Sequence, residues 1–393
     1  MLQGKTVLLG VTGGIAAYKM PNVARMLKKM HCNVHVLMTQ NATNFITATT
    51  FETLTGNKCL IDTFDRNFEF SVEHVALAKQ ADLVLLAPAT ANVIGKIANG
   101  IADDMLTTTV MACTCKVLVA PAMNHNMYHN SIVQENLEKL KRHGYEMIDP
   151  VCGMLANGDT GDGKLPSEET LVEYVLRELA FEKDMQGLKV LVTAGPTQEA
   201  IDPVRFISNH STGKMGYAIA KNAMLRGAEV TLVTGRTALE PPMFVKTVPV
   251  TSAKDMYQAV MECAKEQDII VKAAAVADYT PAHTADEKIK KSEGELSLTL
   301  EKTTDILAEL GKNKGNTVLC GFSMETEHML ENSRAKRKKK NLDMIAANNL
   351  KQQGAGFAGD TNVLTLITED WEKELAPVSY THLRAHETAA DLV

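Results

Sequence analysis

The residues of this chain that could do chemistry sit in loops that follow apolar runs. Between Thr193 and Lys214 the sequence reads TAGPTQEAIDPVRFISNHSTGK. Arg205 there can form an ion pair, Asn209 offers an amide, and Ser211, Thr212 and Gly213 stand where a helix begins. A strand, a glycine-bearing loop and a helix start together present backbone N–H groups to a phosphate. A similar plan opens the chain, where the run Thr6 to Gly10 meets VTGGIAAYK and Gly13 and Gly14 lead into a helix. That loop lacks the spacing of the dinucleotide fingerprint and of the P-loop, so an ordinary strand-to-helix turn explains it equally well. Ala89 and Thr90 follow a third apolar run, and the loop PAMNHNM, with Asn124, follows a fourth. In open α/β sheets, loops at the carboxyl ends of strands are where ligands sit. His125 and His129 stand four apart, as two metal ligands on a helix would. They follow Pro121 in what reads as a loop, however, and the sequence assigns no metal ligands. Cys113 and Cys115 are close, but no second pair matches them as structural zinc requires. His74 precedes an apolar helix pattern and is either a functional histidine or a surface one. Asp278 in AAAVADY, Lys288 in KIKK and the run RAKRKKK, Arg334 to Lys340, each have a plain reading as solvated charge.

Stable elements must hold these loops, and the chain is long enough to supply them twice. It has 393 residues, more than one ordinary domain needs. It is 45% hydrophobic and 22% charged, the balance of a globular protein. The net charge of −6 disfavours a general nucleic-acid role. No apolar run approaches the roughly 18 residues of a membrane span, and Met1 to Gly14 does not read as a leader. The 7 scattered cysteines suit a reducing cytoplasm, which is the expected location.

The apolar runs alternate with helical patterns throughout, which predicts α/β architecture with two doubly wound parallel sheets of Rossmann-like type. In the first half the expected strands are Lys5–Gly10, His31–Met38, Ala81–Ala87 and Val117–Ala120, with helices at Ile15–Met30 and Asn41–Leu54. A capped amphipathic helix, Ser167 to Glu182, closes a first domain over residues 1–182. Lys183 to Gly187 reads as a short joint, and a second domain spans 187–378. Its expected strands are Val190–Ala194, Glu229–Thr234, Ile269–Ala273 and Val318–Phe322. Helices are expected at Lys214–Arg226, Lys254–Lys265 and Asp305–Leu310, and Val363–Ile367 is the expected final strand. Residues 379–393, SYTHLRAHETAADLV, break the pattern and read as a non-native tail.

The motifs GGIAAYK, APATAN, GIADDMLTT and PAMNHNM resemble the flavin-dependent cysteine-decarboxylase family. The stretch VLVTAGPT…DPVRFISNHSTGKMGYA resembles the phosphopantothenate–cysteine ligases. In one chain they resemble the bifunctional coenzyme A biosynthesis family, CoaBC or Dfp, from Met1 to about Glu374. The resemblance implies FMN in the first half, held at Gly13, Gly14, Thr39, Ala89, Thr90, Asp103 and Met105. It implies His74 as base or orienting group and Asn124 as the group that binds a carboxylate or amide. In the second half it implies phosphopantothenate at the loop with Arg205 and Asn209, and CTP at Ser211, Thr212, Gly213, Asp278 and Lys288. Thr304, Asp305, Ile306 and Leu307 would meet the cytosine, Phe322 would contact the nucleotide, and Lys336 and Lys340 would clamp the triphosphate. Magnesium would accompany the triphosphate.

The implied chemistry ligates 4′-phosphopantothenate to cysteine at the expense of CTP, then decarboxylates the product on FMN to 4′-phosphopantetheine. Two departures from the family pattern stand out. Thr304 takes the place of a proline. Asn157, in the glycine-rich stretch Gly153 to Leu165 that reads as an active-site flap, takes the place of a cysteine that supplies the last proton. An amide is no acid at neutral pH, and Cys152 is the nearest thiol that flap movement could bring in. Two alternatives therefore stand beside the bifunctional reading. One is a working ligase whose decarboxylase stops before the final reduction. The other is a flavin domain kept only for assembly. The resemblance also implies a homo-oligomer, a dodecamer built from trimers and dimers, with neither nucleic acid nor membrane as partner.

Overall fold

Near-continuous Val/Leu runs become strands that are buried on both faces, the signature of parallel sheets covered by helices. The computed structural model describes residues 1–64, 73–154, 158, 160–291, 296–325, 328–349, 361–362, 364–375 and 378–379. It divides into two units between Phe181 and Glu182.

In the N-terminal unit, β1 (Thr6–Val11) and β3 (Leu83–Ala89) are buried along their whole length. With β2 (Asn33–Met38), β4 (Lys116–Pro121) and β5 (Glu146–Met147) they form a parallel sheet in the order β2-β1-β3-β4-β5. The order reverses between β1 and β3, which opens a crevice at the carboxyl ends of those strands. The connections carry α1 (Met20–Lys29), α2 (Ala48–Thr55), α3 (Glu73–Gln80), α4 (Ala91–Ala98), α5 (Met105–Ala112), α6 (His125–Tyr128) and α7 (Ser131–Arg142). A hairpin of β6 (Val151–Met154) and β7 (Thr160–Lys164) precedes α8 (Glu168–Leu179). Ser167 caps α8, its hydroxyl accepting the Thr170 N–H at 3.1 Å.

Two predicted helices of this unit are divided. The stretch from Ile15 begins as a 3₁₀ turn, Ile15–Lys19, and α1 starts afresh with Pro21 in its first turn, where a missing N–H costs nothing. The stretch from Asn41 divides into a 3₁₀ turn, Gln40–Asn44, and α2. Its Asn and Thr residues are weak helix formers that prefer caps, and Thr39 caps the first turn.

The C-terminal unit contains a larger sheet. Its parallel strands are β8 (Lys189–Ala194), β11 (Glu229–Thr234), β12 (Lys246–Pro249), β13 (Ile269–Lys272), β16 (Val318–Glu325) and β17 (Met344–Asn349). They run β12-β11-β8-β13-β16-β17, and the order reverses between β8 and β13. The helices are α9 (Lys214–Leu225), α10 (Ala253–Cys263), α11 (Ile306–Lys312) and α12 (Met329–Lys339). Two small ribbons, β9 (Gln198–Ala200) with β10 (Phe206–Ser208) and β14 (Tyr279–Pro281) with β15 (Leu300–Lys302), decorate the loops after β8 and β13. The segment 183–188 is tied to the end of α9. Arg226 pairs with Asp184, and Lys183 Nζ donates to the Leu225 carbonyl at 2.6 Å.

The expected final strand is not final. β19 (Leu364–Ile367) pairs antiparallel with β17 and then with β20 (Glu372–Glu374). A further short strand, β21 (Val378–Ser379), pairs with β18 (Thr361–Asn362). Residues 380–393, nearly all of the proposed tail, lie outside the described residues.

Candidate active sites

In the N-terminal unit, the candidate cofactor residues collect at the carboxyl edge of the sheet. Gly13 and Gly14 follow β1, Thr39 follows β2, Ala89 ends β3 and Thr90 follows it, and Asn124 lies three residues past β4. Thr12, which sequence reasoning passed over, fastens the crevice. It is fully buried, its hydroxyl donates to the Pro88 carbonyl at 2.6 Å, and it accepts the Thr90 N–H at 3.0 Å. Gly13 is required by close approach, since a Cβ there would lie 2.5 Å from Cβ of Asn41. Thr39 is buried and caps the turn after β2, accepting the Ala42 N–H at 3.3 Å.

Asn124 accepts the Asn126 N–H at 2.9 Å through its side-chain oxygen, which leaves its NH2 to donate elsewhere. His74 is half-buried on the first turn of α3. Asp103 is paired with Lys96 at 2.7 Å; that hydrogen bond holds its carboxyl below the usual range. Met105 belongs to the core, with a side chain only 1% exposed, so a ligand there would meet its backbone. Asn157 lies outside the described residues. Cys152 is exposed on β6.

Exposed apolar side chains stand in three of the segments that follow these strands. Ile15, Phe45 and Met127, in the segments after β1, β2 and β4, all expose large apolar side chains.

In the C-terminal unit, a cavity of about 610 Å³ opens at the carboxyl ends of β8, β13 and β16, within the usual range for small-molecule sites. It gathers Asn209, Ser211, Thr212, Gly213, Asp278, Thr304, Asp305, Ile306, Leu307, Phe322, Lys336 and Lys340. Asn209 spans the crevice, donating its NH2 to the Ala275 carbonyl at 3.0 Å, which leaves its oxygen as an acceptor. Gly213 begins α9 at φ +80°, in the left-handed region, and α9 has no side-chain cap. Its first turn, Lys214 to Gly216, lines the cavity, and the positive end of a helix there favours an anion. Asp305 caps α11 through the Ala308 N–H at 3.1 Å and pairs with Lys340 at 2.7 Å. Burial pushes the Asp305 carboxyl up, but the bonds from Lys340 and Ala308 outweigh it and leave it below its usual range. Ile306 and Leu307, though among the lining residues, have side chains that belong to the core.

Arg205 and Lys288 are not among the cavity's lining residues. Arg205 instead binds buried Asp202 through two nitrogens and donates to the Ile289 carbonyl at 2.8 Å. Asp202 also accepts the Ile289 N–H at 3.1 Å. The Arg205 hydrogen bond, first among several, holds the Asp202 carboxyl far below its ordinary range. The pair fixes the loop that carries exposed Lys288.

Sequence reasoning also missed Lys272, at the end of β13. It lines the cavity with Lys336 and Lys340. Burial, then the charges of Lys340 and Lys336, pull its ammonium down to about 8. Asn348, also in the lining, is buried, and its side-chain oxygen has no hydrogen-bond partner among the described residues.

Residues 1–180 match the family model described as Flavoprotein, and residues 185–392 match that of the DNA/pantothenate metabolism flavoprotein C-terminal domain. The coenzyme A biosynthesis bifunctional protein CoaBC of Bacillus subtilis strain 168 is 45% identical over 381 residues, covering 96% of this chain and 94% of that protein. The protein so named from Escherichia coli strain K12 is 43% identical over 378 residues, covering 95% and 93%.

The chain belongs to the CoaBC family.

It is a bifunctional enzyme of coenzyme A biosynthesis, with decarboxylase and ligase activities. A solved C-terminal domain of a CoaBC protein is 43% identical and covers 50% of this chain and 89% of its own, at a TM-score of 0.43. No helix among the described residues is long and apolar enough to cross a membrane.

Proposed function

We propose that the C-terminal unit joins 4′-phosphopantothenate to cysteine with CTP, and that the N-terminal unit decarboxylates the product with FMN. The observation that carries the reading is the convergence of four lysines (Lys214, Lys272, Lys336 and Lys340), two carboxylates, a helix start with no side-chain cap and Asn209 on one cavity. A nucleoside triphosphate needs such positive charge, and a carboxylate needs activation before an amine can attack it.

The carboxylate of phosphopantothenate attacks the α-phosphate of CTP and expels pyrophosphate. Lys336, Lys340 and Lys272 stabilise the charge on the departing group. The cysteine amine then attacks the acyl-cytidylate, loses a proton and releases CMP. The free oxygen of Asn209 orients that amine by accepting its N–H. Mg²⁺ arrives with the triphosphate, and Asp278 is the lining carboxylate with no ion pair among the described residues. Arg205 acts on the acyl substrate from its own loop, and Lys288 acts on CTP from the loop that the Arg205–Asp202 pair holds.

In the N-terminal unit, the loops at Gly13, Gly14, Thr39, Ala89, Thr90, Asp103 and Met105 hold FMN. When bound, FMN supplies the redox chemistry that makes loss of CO₂ from a cysteine-derived carboxylate feasible. The NH2 of Asn124 holds the substrate carboxylate, and His74 accepts a proton. Cys152 on the β6–β7 hairpin supplies the last proton in place of Asn157. The assembly is a dodecamer, and light scattering should give about twelve times the 42.8 kDa of one chain; a monomer would refute that part.

The ligase assignment is tested by separating its two steps. In a single turnover, Asn209→Ala should leave pyrophosphate release from CTP within a few-fold of wild type and slow CMP release roughly 100-fold, the size of one lost orienting contact. Equal loss of both products would contradict the role given to Asn209. Absence of CTP-dependent pyrophosphate release in the unaltered protein would contradict the assignment itself.

A further inference from the structure

The N-terminal unit holds a cluster of ligand-type side chains that neither proposed reaction uses. His125 lies on α6, His129 follows its last turn, and Asp162 comes from β7. A ring nitrogen from each histidine and a carboxylate oxygen of Asp162 all lie within 4.8 Å of one another. His129 Nε2 is 3.0 Å from Asp162 Oδ2, and the two imidazole centroids are 4.4 Å apart. Their sequence setting reads as a loop after Pro121, but the residues fold into a helical turn, which brings positions i and i+4 to one side.

The hairpin is built to deliver Asp162 there. Val151 pairs with Lys164 and Gly153 with Gly161, so Asp162 and Gly163 together oppose the single residue Cys152. That is a β-bulge, a device that re-aims a side chain. Gly163 adopts φ +115°, and a Cβ there would lie 2.3 Å from the Met123 carbonyl oxygen. Gly161 packs equally closely, since its Cβ would come 2.8 Å from His125 Nδ1. The Met123 N–H donates to the Gly163 carbonyl at 3.0 Å, and the Asp162 N–H donates to His125 Nδ1 at 3.2 Å. The backbone thus fixes the hairpin against the loop after β4 without any ion; ligation by His125 would replace the Asp162 N–H bond on Nδ1, while the Met123–Gly163 bond stays in place.

We propose that His125, His129 and Asp162 form a site for one divalent transition metal ion of the zinc type, which clamps the β6–β7 hairpin to the loop carrying Asn124. Two imidazoles and a carboxylate suit zinc, whereas calcium and magnesium take oxygen ligands. A tetrahedral zinc site places its ligand atoms about 3.3 Å apart. The present spread closes to that by rotation of His129 and Asp162, whose side chains are 49% and 43% exposed. The fourth position falls to water. In the proposed decarboxylase this ion would hold closed a hairpin that carries Cys152. That consequence rests on the proposed function; the binding itself does not.

The test is a calorimetric zinc titration of the full-length, flavin-loaded protein, repeated with His129→Gln and Asp162→Asn. The expected result is one ion per chain, weakened more than about 100-fold in each variant, because outer-shell partners alone are worth 10–100-fold. Flavin content and the circular dichroism spectrum should not change. Zinc should also protect the segment between Gly153 and Lys164 from proteolysis in the wild type and not in the variants. No saturable zinc binding, or binding that both variants retain, would overturn the proposal, and the latter would point to Cys113 and Cys115 instead. If zinc binds as described but decarboxylation is unaffected, the site stands and the clamp's role in catalysis falls.

Discussion

At the scale of single residues, Lys272 makes the sharpest prediction. Its native value of about 8 lies below the ~10.4 of an unfolded lysine. Below pH 8 both states carry the proton, and the folded state bears the cost of a partly buried ammonium beside two other lysines. Between about pH 8 and 10 the unfolded chain holds more protons, so this group makes stability rise with pH. Lys272→Met should therefore stabilise the unliganded protein at pH 7 by roughly 1–3 kcal/mol and abolish that rise. The same substitution should weaken CTP binding about 10–100-fold, the worth of a charge-assisted contact. A triphosphate should raise the lysine's affinity for its proton, so CTP binding at pH 8.5 should take up protons. Calorimetry in buffers of different ionisation enthalpy reads that uptake, and Lys272→Met should lose it. Unchanged proton uptake in the variant would remove Lys272 from the site. Nothing in IIVK distinguishes this lysine from a strand residue. Its meaning comes from α12 and the loop before α11 arriving at the same point, which sequence adjacency does not encode. Asn209 and Asp278, by contrast, were singled out through the family resemblance, since a loop amide and a loop carboxylate each also have a plain solvated reading, and both line the cavity.

The elements were more legible than their ends. Strands of five to eight apolar residues flanked by polar loops declare themselves, and the parallel order follows from the alternating helices. Less legible was how the run RAKRKKK divides by helical phase. Ser333, Arg337 and, in part, Lys336 and Lys340 face inward, while Arg334 pairs with Glu372 on the outside. The run is therefore two faces, one lining the cavity through Lys336 and Lys340 and one solvated. The β6–β7 bulge was also hidden, because glycine-rich sequence gives no register. It makes a prediction of its own. Gly163→Ala puts a side chain into a strained φ and against a backbone oxygen, at a cost on the order of 1–3 kcal/mol. Decarboxylation should fall while CTP-dependent ligation stays at the wild-type rate. Equal loss of both would show that the hairpin supports the whole fold. Arg205→Lys tests the other loop device, since lysine cannot reproduce the fork on Asp202. KM for phosphopantothenate should rise at least tenfold with little change for CTP, and a selective change for CTP would contradict the placement.

At the scale of the whole molecule, two sheets with different strand orders each place their reactive loops at a crevice between a reversed pair of strands. The N-terminal order runs β2-β1-β3-β4-β5 and the C-terminal one β12-β11-β8-β13-β16-β17. One chain thereby carries the step that makes a cysteinyl amide and the step that removes its carboxylate. The central claim is that both steps run to completion although Asn157 stands where a cysteine is expected. Mass analysis of the products from flavin-loaded protein supplied with phosphopantothenate, cysteine, CTP and Mg²⁺ tests this most directly. The account predicts 4′-phosphopantetheine from the wild type and an unreduced enethiol from Cys152→Ser. An enethiol from the wild type, or no product beyond phosphopantothenoylcysteine, would contradict it.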